Sequence, residues 1–306
     1  MPEYEYLKYE EHDEGQIVRI LLDRPDTRNA QNRGLLVELD DAFRRAEADD
    51  TCRVIILGGT GPMFSSGHDM GSKQAQDDQQ NHPTSKIDGG TREGAERLFI
   101  QEWHYYFQNT LRWRNLRKIT IAQVQGQTFA AGLMLIWACD LIVASDDAYF
   151  ADVVGTRLGM CGVEYFAHPW EFGIRKTKEL MLTGDAIDAQ EAYDLGMVQK
   201  IFPVDELSDK TLEYARRIAK TPTMAALLIK ESVNQTQDIM GFHNALHACF
   251  TMHELNHSHW AWVHTEGQYP VALPEDGVID WRNPEPMRTS AKDSVMGPEI
   301  PKKKKS

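Results

Sequence analysis

Residues 54–70, VIILGGTGPMFSSGHDM, combine features that could stabilise a negative charge. A short apolar run followed by closely spaced glycines is typical of a buried strand that ends in a tight turn, with Phe64 as its apolar anchor. Ser66 and Gly67 then stand where a helix is expected to begin, and amide groups at a helix start have no acceptor within the helix. Such donors could stabilise the oxyanion of a reacting carbonyl. The simpler alternative is an ordinary connection between a strand and a helix.

Residues 253–257, HELNH, match the H-E-x-x-H pattern, in which two histidines one helical turn apart bind zinc and the glutamate acts as a base. His243 and His247 repeat the spacing on the same segment. A short pattern arises easily by chance where histidines are frequent, and nothing around it is typical of a protease. We therefore expect no metal site, and a zinc metalloprotease is a distant alternative.

The elements that must position these groups follow from apolar periodicity. Strands are predicted at residues 16–22, 54–57, 119–124 and 140–145. Helices are predicted at 35–46, 98–111, 132–138, 176–182, 205–220 and 242–260, and one more begins at Pro222 with Thr221 as its N-cap. Strands and helices that alternate with short links indicate an α/β fold.

Two segments differ in composition from the rest. Residues 71–94 are rich in polar residues and glycine, which predicts a mobile loop that is either a lid over the site or a solvated insertion. Proline, glycine and charged residues dominate 263–306, so an irregular tail is expected there.

The overall composition argues against several kinds of partner. The chain has 306 residues, 42% hydrophobic and 26% charged, which is ordinary for a globular protein. Its net charge of -13 argues against a nucleic-acid partner. No signal peptide is evident, and the longest apolar run, 129–139, is too short to cross a bilayer, so no membrane partner is expected. Four scattered cysteines are typical of reduced thiols in the cytoplasm.

Several motifs, taken in order, resemble those of the enoyl-CoA hydratase/isomerase (crotonase) family. They are LDRP at 22–25 with NA at 29–30, FSSGHDM at 64–70, IAQVQG at 121–126 with AAG at 130–132, and MLTGDAIDAQEAYDLGMVQKIFP at 181–203. The resemblance runs from about residue 18 to about residue 250. It implies a crotonase-like spiral of ββα units at 1–203 that carries an acyl-CoA site, followed by a C-terminal helical trimerisation region at 204–262.

The same resemblance implies an acyl-CoA thioester substrate whose enolate oxygen binds between two backbone amides. The matching donors are Ser66 and Ala131, with Gly132 adjacent. Coenzyme A arrives as part of the substrate, so no separate cofactor is expected. The family uses its last helices for trimer contacts, which implies a homotrimer or homohexamer. The residues that match coenzyme A-binding positions are Arg28, Asn29, Ala30, Asp69 and Met70, and the candidate phosphate partners are Arg24, Arg28 and Lys73.

The sequence departs from the family at the two glutamates that a hydratase uses. Met134 and Val154 occupy those positions, and neither side chain can move a proton. Ordinary hydration by two glutamates is therefore in doubt.

Three other groups could carry the proton. Asp152 is predicted to do so with help from Glu164, and His68 is the next candidate. An acid alone could shift a double bond, and a histidine paired with an acid could activate water for hydrolysis. In the purely structural alternative, Asp152 caps a turn, Glu164 caps the following helix and His68 lines the coenzyme A channel. The sequence thus predicts an acyl-CoA enzyme of the hydratase/isomerase type, with isomerase, hydrolase or non-catalytic acyl-CoA binder as alternatives.

Overall fold

The computed structural model describes residues 3–70, 72–75, 77, 94–263, 287–289 and 297–300. Most of the predicted 71–94 loop and of the predicted 263–306 tail lies outside these residues. The described strands are β1 (Leu7–His12), β2 (Ile17–Leu22), β3 (Val54–Gly59), β4 (Ile119–Val124), β5 (Gln127–Phe129), β6 (Leu141–Ser145), β7 (Tyr149–Ala151), β8 (Ile187–Asp188) and β9 (Lys200–Phe202).

Two sheets contain these strands. The larger has the order β1-β2-β3-β4-β6-β9, in which β1 and β2 are antiparallel and every other neighbouring pair is parallel. Strand β3 lies in the interior of this sheet, with Val54 opposite Ile17 on one side and Ile119 on the other. All six of its residues are buried, as its continuous apolar run predicts. The smaller sheet has the order β5-β7-β8.

Helices follow most of the strands. The described α-helices are α1 (Arg33–Ala48), α2 (Gly94–Gln101), α3 (Asn109–Arg114), α4 (Ala131–Trp137), α5 (Val154–Leu158), α6 (His168–Glu171), α7 (Ile174–Thr183), α8 (Ala189–Asp194), α9 (Leu207–Ala219), α10 (Thr223–Ile239) and α11 (Phe242–Val263). The mixed architecture is the predicted α/β spiral with a C-terminal helical region. Within the described ranges, no helix combines the length and the apolar character that a membrane span requires.

Two local predictions were wrong, and a third element differs in detail from its prediction. Helix α10 begins at Thr223, because Pro222 has an extended ψ of 133° and occupies the N-cap. The helix predicted at 98–111 is present, as a continuous run from α2 to α3 that is π-helical from Glu102 to Gln108. No helix begins at Ser66, whose amide instead donates a hydrogen bond to the carbonyl of Arg28.

Two apolar clusters hold the elements together. The larger cluster lies between the sheets and the helices and contains Phe64, Phe107, Trp113, Phe150 and Phe250, all almost fully buried. The second lies on the other face of the large sheet and contains residues of β2, β3, β4 and α9. Because α9 and α11 contribute to these clusters, the C-terminal helices are packed as parts of the core.

Candidate active site

The turns that follow β3 and β5 lie against each other. Ser65 and Thr128 form a parallel bridge, and the amide of Phe129 donates to the Ser65 carbonyl at 3.0 Å. Gly67 has a φ of +98°, and a methyl group built on it would lie 3.0 Å from Cβ of Ala130 and 3.2 Å from the amide nitrogen of Ala131. A side chain at Gly67 would be strained and crowded, so this glycine permits the close approach of the two turns.

Asn29 holds the turn after β3 in place. Its side-chain amide donates to the carbonyls of Thr60, Met63 and Phe64 at 2.9–3.1 Å, and its side-chain oxygen accepts from the amide of Arg24. Asn29 is fully buried and has a φ of +50°, a conformation that asparagine tolerates better than most residues. These contacts give Asn29 a structural role at the edge of the site.

The amides of the turn differ in whether they are free to bind an anion. Ser66 N–H donates to the Arg28 carbonyl at 3.0 Å, Gly67 N–H to Oγ of Ser65 at 3.3 Å, and Asp69 N–H to the Gln31 carbonyl at 3.0 Å. The amide of His68 has no acceptor among the residues that the structure describes. Among the amides from Ser66 to Asp69, that of His68 is therefore the one that could bind an anion.

The second turn supplies a matching donor. Ala131 is the first residue of α4, so its amide has no intrahelical acceptor, and no other described residue accepts from it. The preceding residue, Ala130, has φ 48° and ψ -124°, which is unusual for a residue with a side chain. Its own amide donates to the Ala151 carbonyl at 2.9 Å, which ties the turn to β7. Gly132 packs against the carbonyl of Ser65, where a methyl group would come within 2.8 Å.

His68 and Glu164 form a contact beside the two turns. Nε2 of His68 lies 3.3 Å from Oε2 of Glu164, and the His68 ring stacks on the Tyr106 ring with centroids 3.7 Å apart. The His68 side chain is 17% exposed and the Glu164 side chain 5% exposed. Nδ1 of His68 is buried and has no hydrogen-bond partner in the described chain. Among the described residues, Nδ1 of His68 is thus the imidazole nitrogen of this pair that could accept a proton.

Asp152 lies in a different environment from this pair. Its Oδ1 accepts from the amide of Val154 at 2.9 Å, and its Oδ2 accepts from the amide of Val163 at 3.0 Å and contacts Nε2 of His168 at 2.9 Å. The Asp152 and His168 side chains are almost completely buried. Because these three partners surround the Asp152 carboxylate, and one of them is the amide of Val163, Asp152 fixes the position of the segment that leads to Glu164. The sequence offered no signal that singled out His168.

The predicted coenzyme A side contains one buried ion pair and several exposed groups. Arg24 is buried and pairs with Asp69, with Nη2 2.9 Å from Oδ2, so this arginine already has a partner inside the protein. Arg28 and Lys73 are exposed, and Met70 is 40% exposed. Ala30 is buried, and Arg24 donates a hydrogen bond to its carbonyl.

The two positions at which the resemblance implies glutamates are apolar and enclosed. Met134 lies on α4 and Val154 begins α5, and both side chains are buried. Buried carboxyl groups nearby come instead from Asp152 and Glu164.

A second group of acids and histidines lies behind Glu164. Glu102 contacts Nε2 of His253 at 3.1 Å and Nδ1 of His257 at 3.1 Å, and Oε1 of Glu164 is 3.8 Å from Nε2 of His253. Glu102 begins the π-helical segment, whereas both histidines belong to the HELNH motif on α11. The sequence predicts that Glu102 lies on a helix, but it does not indicate that Glu102 contacts the histidines of the HELNH motif.

The pKa values in this group follow from burial and from the neighbouring charges. Burial opposes the charge of Glu102, but its contacts with His253 and His257 outweigh that effect and lower its pKa. Burial also opposes the charge of His253, whose hydrogen bonds with Cys161 and Glu102, together with the charge of Glu164, raise its pKa well above the usual value. Burial and the charge of Glu102 raise the pKa of Glu254 to about 9.

The model of the family described as enoyl-CoA hydratase/isomerase matches residues 12–261. The chain is 62% identical to the Mycobacterium tuberculosis protein EchA13, whose name assigns it to the enoyl-CoA hydratases, over 95% of this chain and 92% of that one. It is also 30% identical to 4-chlorobenzoyl coenzyme A dehalogenase-2 from an Arthrobacter species, over 80% of this chain and 82% of that one.

Solved structures show the same likeness. One, of a probable enoyl-CoA hydratase from Mycobacterium smegmatis, has a TM-score of 0.77 and 41% identity, and the match covers 88% of this chain and all of that one.

Proposed function

The chain belongs to the enoyl-CoA hydratase/isomerase family, and on that premise we propose that it moves a proton on an acyl-CoA thioester through an enolate, with His68 and Glu164 as the acid–base pair. The observation that carries the proposal is the contact between His68 and Glu164 beside two backbone amides, of His68 and Ala131, that have no acceptor among the described residues. The reaction favoured by one acid–base pair is a shift of a double bond in the acyl chain.

The oxyanion would bind between the amides of His68 and Ala131. This differs from the expectation that Ser66 is the first donor, because the Ser66 amide is already bonded to the Arg28 carbonyl. Gly67 brings the first turn close to the amide of Ala131, so one thioester oxygen could accept from both turns. Removal of one such donor typically costs about 3 kcal/mol of transition-state stabilisation.

Proton transfer would use the free nitrogen of His68. With Nε2–H donated to the Glu164 carboxylate, Nδ1 carries the lone pair that accepts a proton from the carbon next to the thioester carbonyl. The electrons of that C–H bond pass to the carbonyl oxygen, and the Glu164 charge stabilises the imidazolium that forms. The imidazolium then returns the proton to another carbon of the acyl chain, which completes the shift. The amide and the side chain of one residue lie close together, so the base would be adjacent to the bound carbonyl.

Asp152 would act on this chemistry indirectly. The Asp152 carboxylate accepts a hydrogen bond from the amide of Val163 and so fixes the residue before Glu164. The contact with His168 in turn fixes the Asp152 carboxylate. We therefore give Asp152 a positioning role, in place of the direct role that its sequence position suggests.

The coenzyme A part of the substrate would lie along the exposed side of the turn after β3. Arg28 and Lys73 are exposed and positively charged, so either could contact a phosphate. Arg24 would stabilise this edge through its buried pair with Asp69.

Hydrogen exchange at carbon tests the proposal without knowledge of the net reaction. A panel of acyl-CoA thioesters is incubated with the protein in D₂O, and deuterium at the carbon next to the carbonyl is measured by mass spectrometry. We expect exchange with wild type, and about 100-fold slower exchange with Glu164→Gln and with His68→Asn. Thioester binding without exchange in wild type would instead support a non-catalytic acyl-CoA binder.

A second candidate function is hydrolysis or hydration, in which the same pair activates water. The relationship to a 4-chlorobenzoyl coenzyme A dehalogenase gives this candidate some support, because that name describes removal of a halogen from an acyl-CoA substrate, a reaction other than a double-bond shift. The two candidates differ in their products: ¹⁸O from labelled water enters the product in hydrolysis or hydration and is absent after a double-bond shift.

A further inference from the structure

We propose that Glu102, His253 and His257 form a binding site for a divalent transition-metal ion of the zinc or ferrous type. The inference concerns a cluster behind the proposed acid–base pair, and its test does not require any catalytic activity. It also reverses the expectation that the HELNH motif arose by chance.

The ligand atoms are already close together. One oxygen or nitrogen from each of the three residues lies within 4.8 Å of the other two, and the two contacts with Glu102 are 3.1 Å. Ligands around a tetrahedral zinc ion are separated by about 3.3 Å, as bond lengths of about 2.0–2.1 Å require. Side-chain shifts on the order of 1 Å would therefore bring the three atoms to bonding distance.

The orientation of His253 is typical of a histidine that binds a metal. Its Nδ1 lies 2.7 Å from the carbonyl of Gly162. Because a carbonyl only accepts, Nδ1 must carry the hydrogen, so Nε2, on the side of Glu102, is the nitrogen that would coordinate a metal ion in exchange for its proton. Metal-binding histidines commonly donate their second nitrogen to a carbonyl in this way, which fixes both the tautomer and the ring plane.

Two buried polar atoms at the cluster lack hydrogen bonds. Nδ1 of His257 lies 3.1 Å from Oε1 of Glu102 but forms no hydrogen bond, and Oε1 of Glu254 has no partner in the described part of the chain. Glu254 is only 7% exposed, and it interacts electrostatically with Glu102 and His253. Buried polar atoms are rarely left unpaired without a reason such as an ion. An ion bound by His257 would satisfy the first of these atoms.

The donor set restricts the choice of metal. Two imidazoles and one carboxylate suit zinc or ferrous iron, whereas calcium and magnesium prefer oxygen ligands alone. The π-helical segment that begins at Glu102 also fits this assignment, since π-helical turns occur frequently at functional sites. Oε1 of Glu164 lies 3.8 Å from the same nitrogen, Nε2 of His253, so the ion would lie near the acid–base pair.

The same helix supplies a matched control. His243 and His247 have the same i, i+4 spacing on α11, with their Nε2 atoms 3.3 Å apart, but they lie nearer the surface. A surface pair of this kind binds metal ions weakly and without a carboxylate partner. The double variant His243→Asn/His247→Asn removes that background and leaves the proposed site intact.

The experiment uses the full chain with its purification tag removed. After chelator treatment, the protein is incubated with Zn²⁺, desalted and analysed for metal, and affinity is measured by competition with a chromogenic chelator. We expect close to one ion per chain in wild type and in His243→Asn/His247→Asn. In His257→Asn and in Glu102→Gln, affinity should fall by at least about 100-fold. Co²⁺ loading should give visible absorption bands of a low-symmetry nitrogen–oxygen site.

Two results would overturn the proposal. One is a chelator-stripped wild type that takes up no zinc after desalting. The other is zinc that is lost in His243→Asn/His247→Asn and retained in His257→Asn. His257 is partly exposed, so its variant should fold, and circular dichroism of each variant verifies this.

Discussion

Nε2 of His68 lies 3.3 Å from Oε2 of Glu164, although 96 residues separate the two in the chain. The contact joins the turn after β3 to the loop before α6, and Tyr106 fixes the plane of the imidazole by stacking on it. An imidazole held by a carboxylate on one nitrogen and unpaired on the other is the arrangement that general-base catalysis requires. The first prediction concerns this pair.

Glu164→Gln keeps the shape of the side chain and removes its charge. We expect the catalytic rate to fall by about 100- to 10,000-fold with little change in thioester affinity. Residues that act as one unit are not additive, so His68→Asn/Glu164→Gln should cost little more than the worse single variant. Steady-state kinetics of the four proteins tests this. Rate losses that simply multiply would show that the two residues act independently.

Asp152→Asn should reduce stability more than it reduces the rate. The variant replaces a buried carboxylate that accepts from two amides and pairs with His168, and we expect a loss of about 2–4 kcal/mol in the free energy of unfolding. Denaturant unfolding measures the loss. The control is Asp146→Asn. The exposed Asp146 side chain accepts one hydrogen bond, from the Val204 amide, so the loss in the free energy of unfolding should stay below about 1 kcal/mol. A rate loss of 100-fold at unchanged stability would make Asp152 the proton carrier.

Ala130→Gly should stabilise the protein. At φ 48° and ψ -124°, a side chain is strained, whereas glycine adopts such angles at little steric cost. Such strain is worth about 1–3 kcal/mol, and the greater freedom of glycine in the unfolded chain offsets part of the gain. The expected net rise is therefore on the order of 1 kcal/mol, measured as a higher midpoint in thermal or denaturant unfolding. Ala148→Gly, at a buried position with negative φ, should instead be destabilising.

Glu171 should make stability depend on pH. Burial raises its pKa from 4.5 to about 7. Below pH 4.5 the carboxyl is protonated in both the folded and the unfolded chain, so it has no effect. As pH rises towards 7, the unfolded chain releases the proton first, which favours unfolding, and the penalty is constant above that pH. The full shift corresponds to at most about 3.5 kcal/mol, at about 1.4 kcal/mol per pKa unit, and the partial exposure of the Glu171 side chain reduces the penalty to about 2 kcal/mol.

Glu171→Gln removes this penalty. Its stability relative to wild type should be nearly equal at pH 4 and higher by about 2 kcal/mol at pH 8, as measured by urea unfolding at both values. The surface variant Glu213→Gln, which loses only an exposed pair with Lys210, should show a difference below about 1 kcal/mol at either pH. An equal gain at both pH values for Glu171→Gln would contradict the proposed cause.

Local patterns in the sequence predicted four of the nine described strands (β2, β3, β4 and β6) and the turn after β3. The apolar run at 54–57 predicted a strand buried on both faces, and Phe64 is buried as the anchor of the following turn. Such predictions succeed because they depend on residues that are close together in the chain.

The details of the site could not be predicted, because they depend on distant contacts. Which amide of the turn is free depends on the hydrogen bonds from Ser66 to Arg28 and from Asp69 to Gln31. Asp152 meets His168 across 16 residues, and His253 meets Glu102 across 151. Helical periodicity shows which residues share a face, but it does not identify the residue that the face meets.

Self-association is the last prediction. Helix α10 carries a stripe of exposed apolar residues, with Met224 67%, Leu228 52%, Ile229 60% and Val233 63% exposed. Stripes of this kind mark interaction surfaces, so we propose that the stripe is covered in a homotrimer or homohexamer, the assembly that the resemblance to the family implies. Light scattering at micromolar concentration should give three or six times the chain mass of 34.9 kDa. Val233→Asp would bury a charge in the interface and should shift the protein towards monomer. A wild-type monomer, or a Val233→Asp variant that keeps the wild-type assembly, would show that α10 is not the interface.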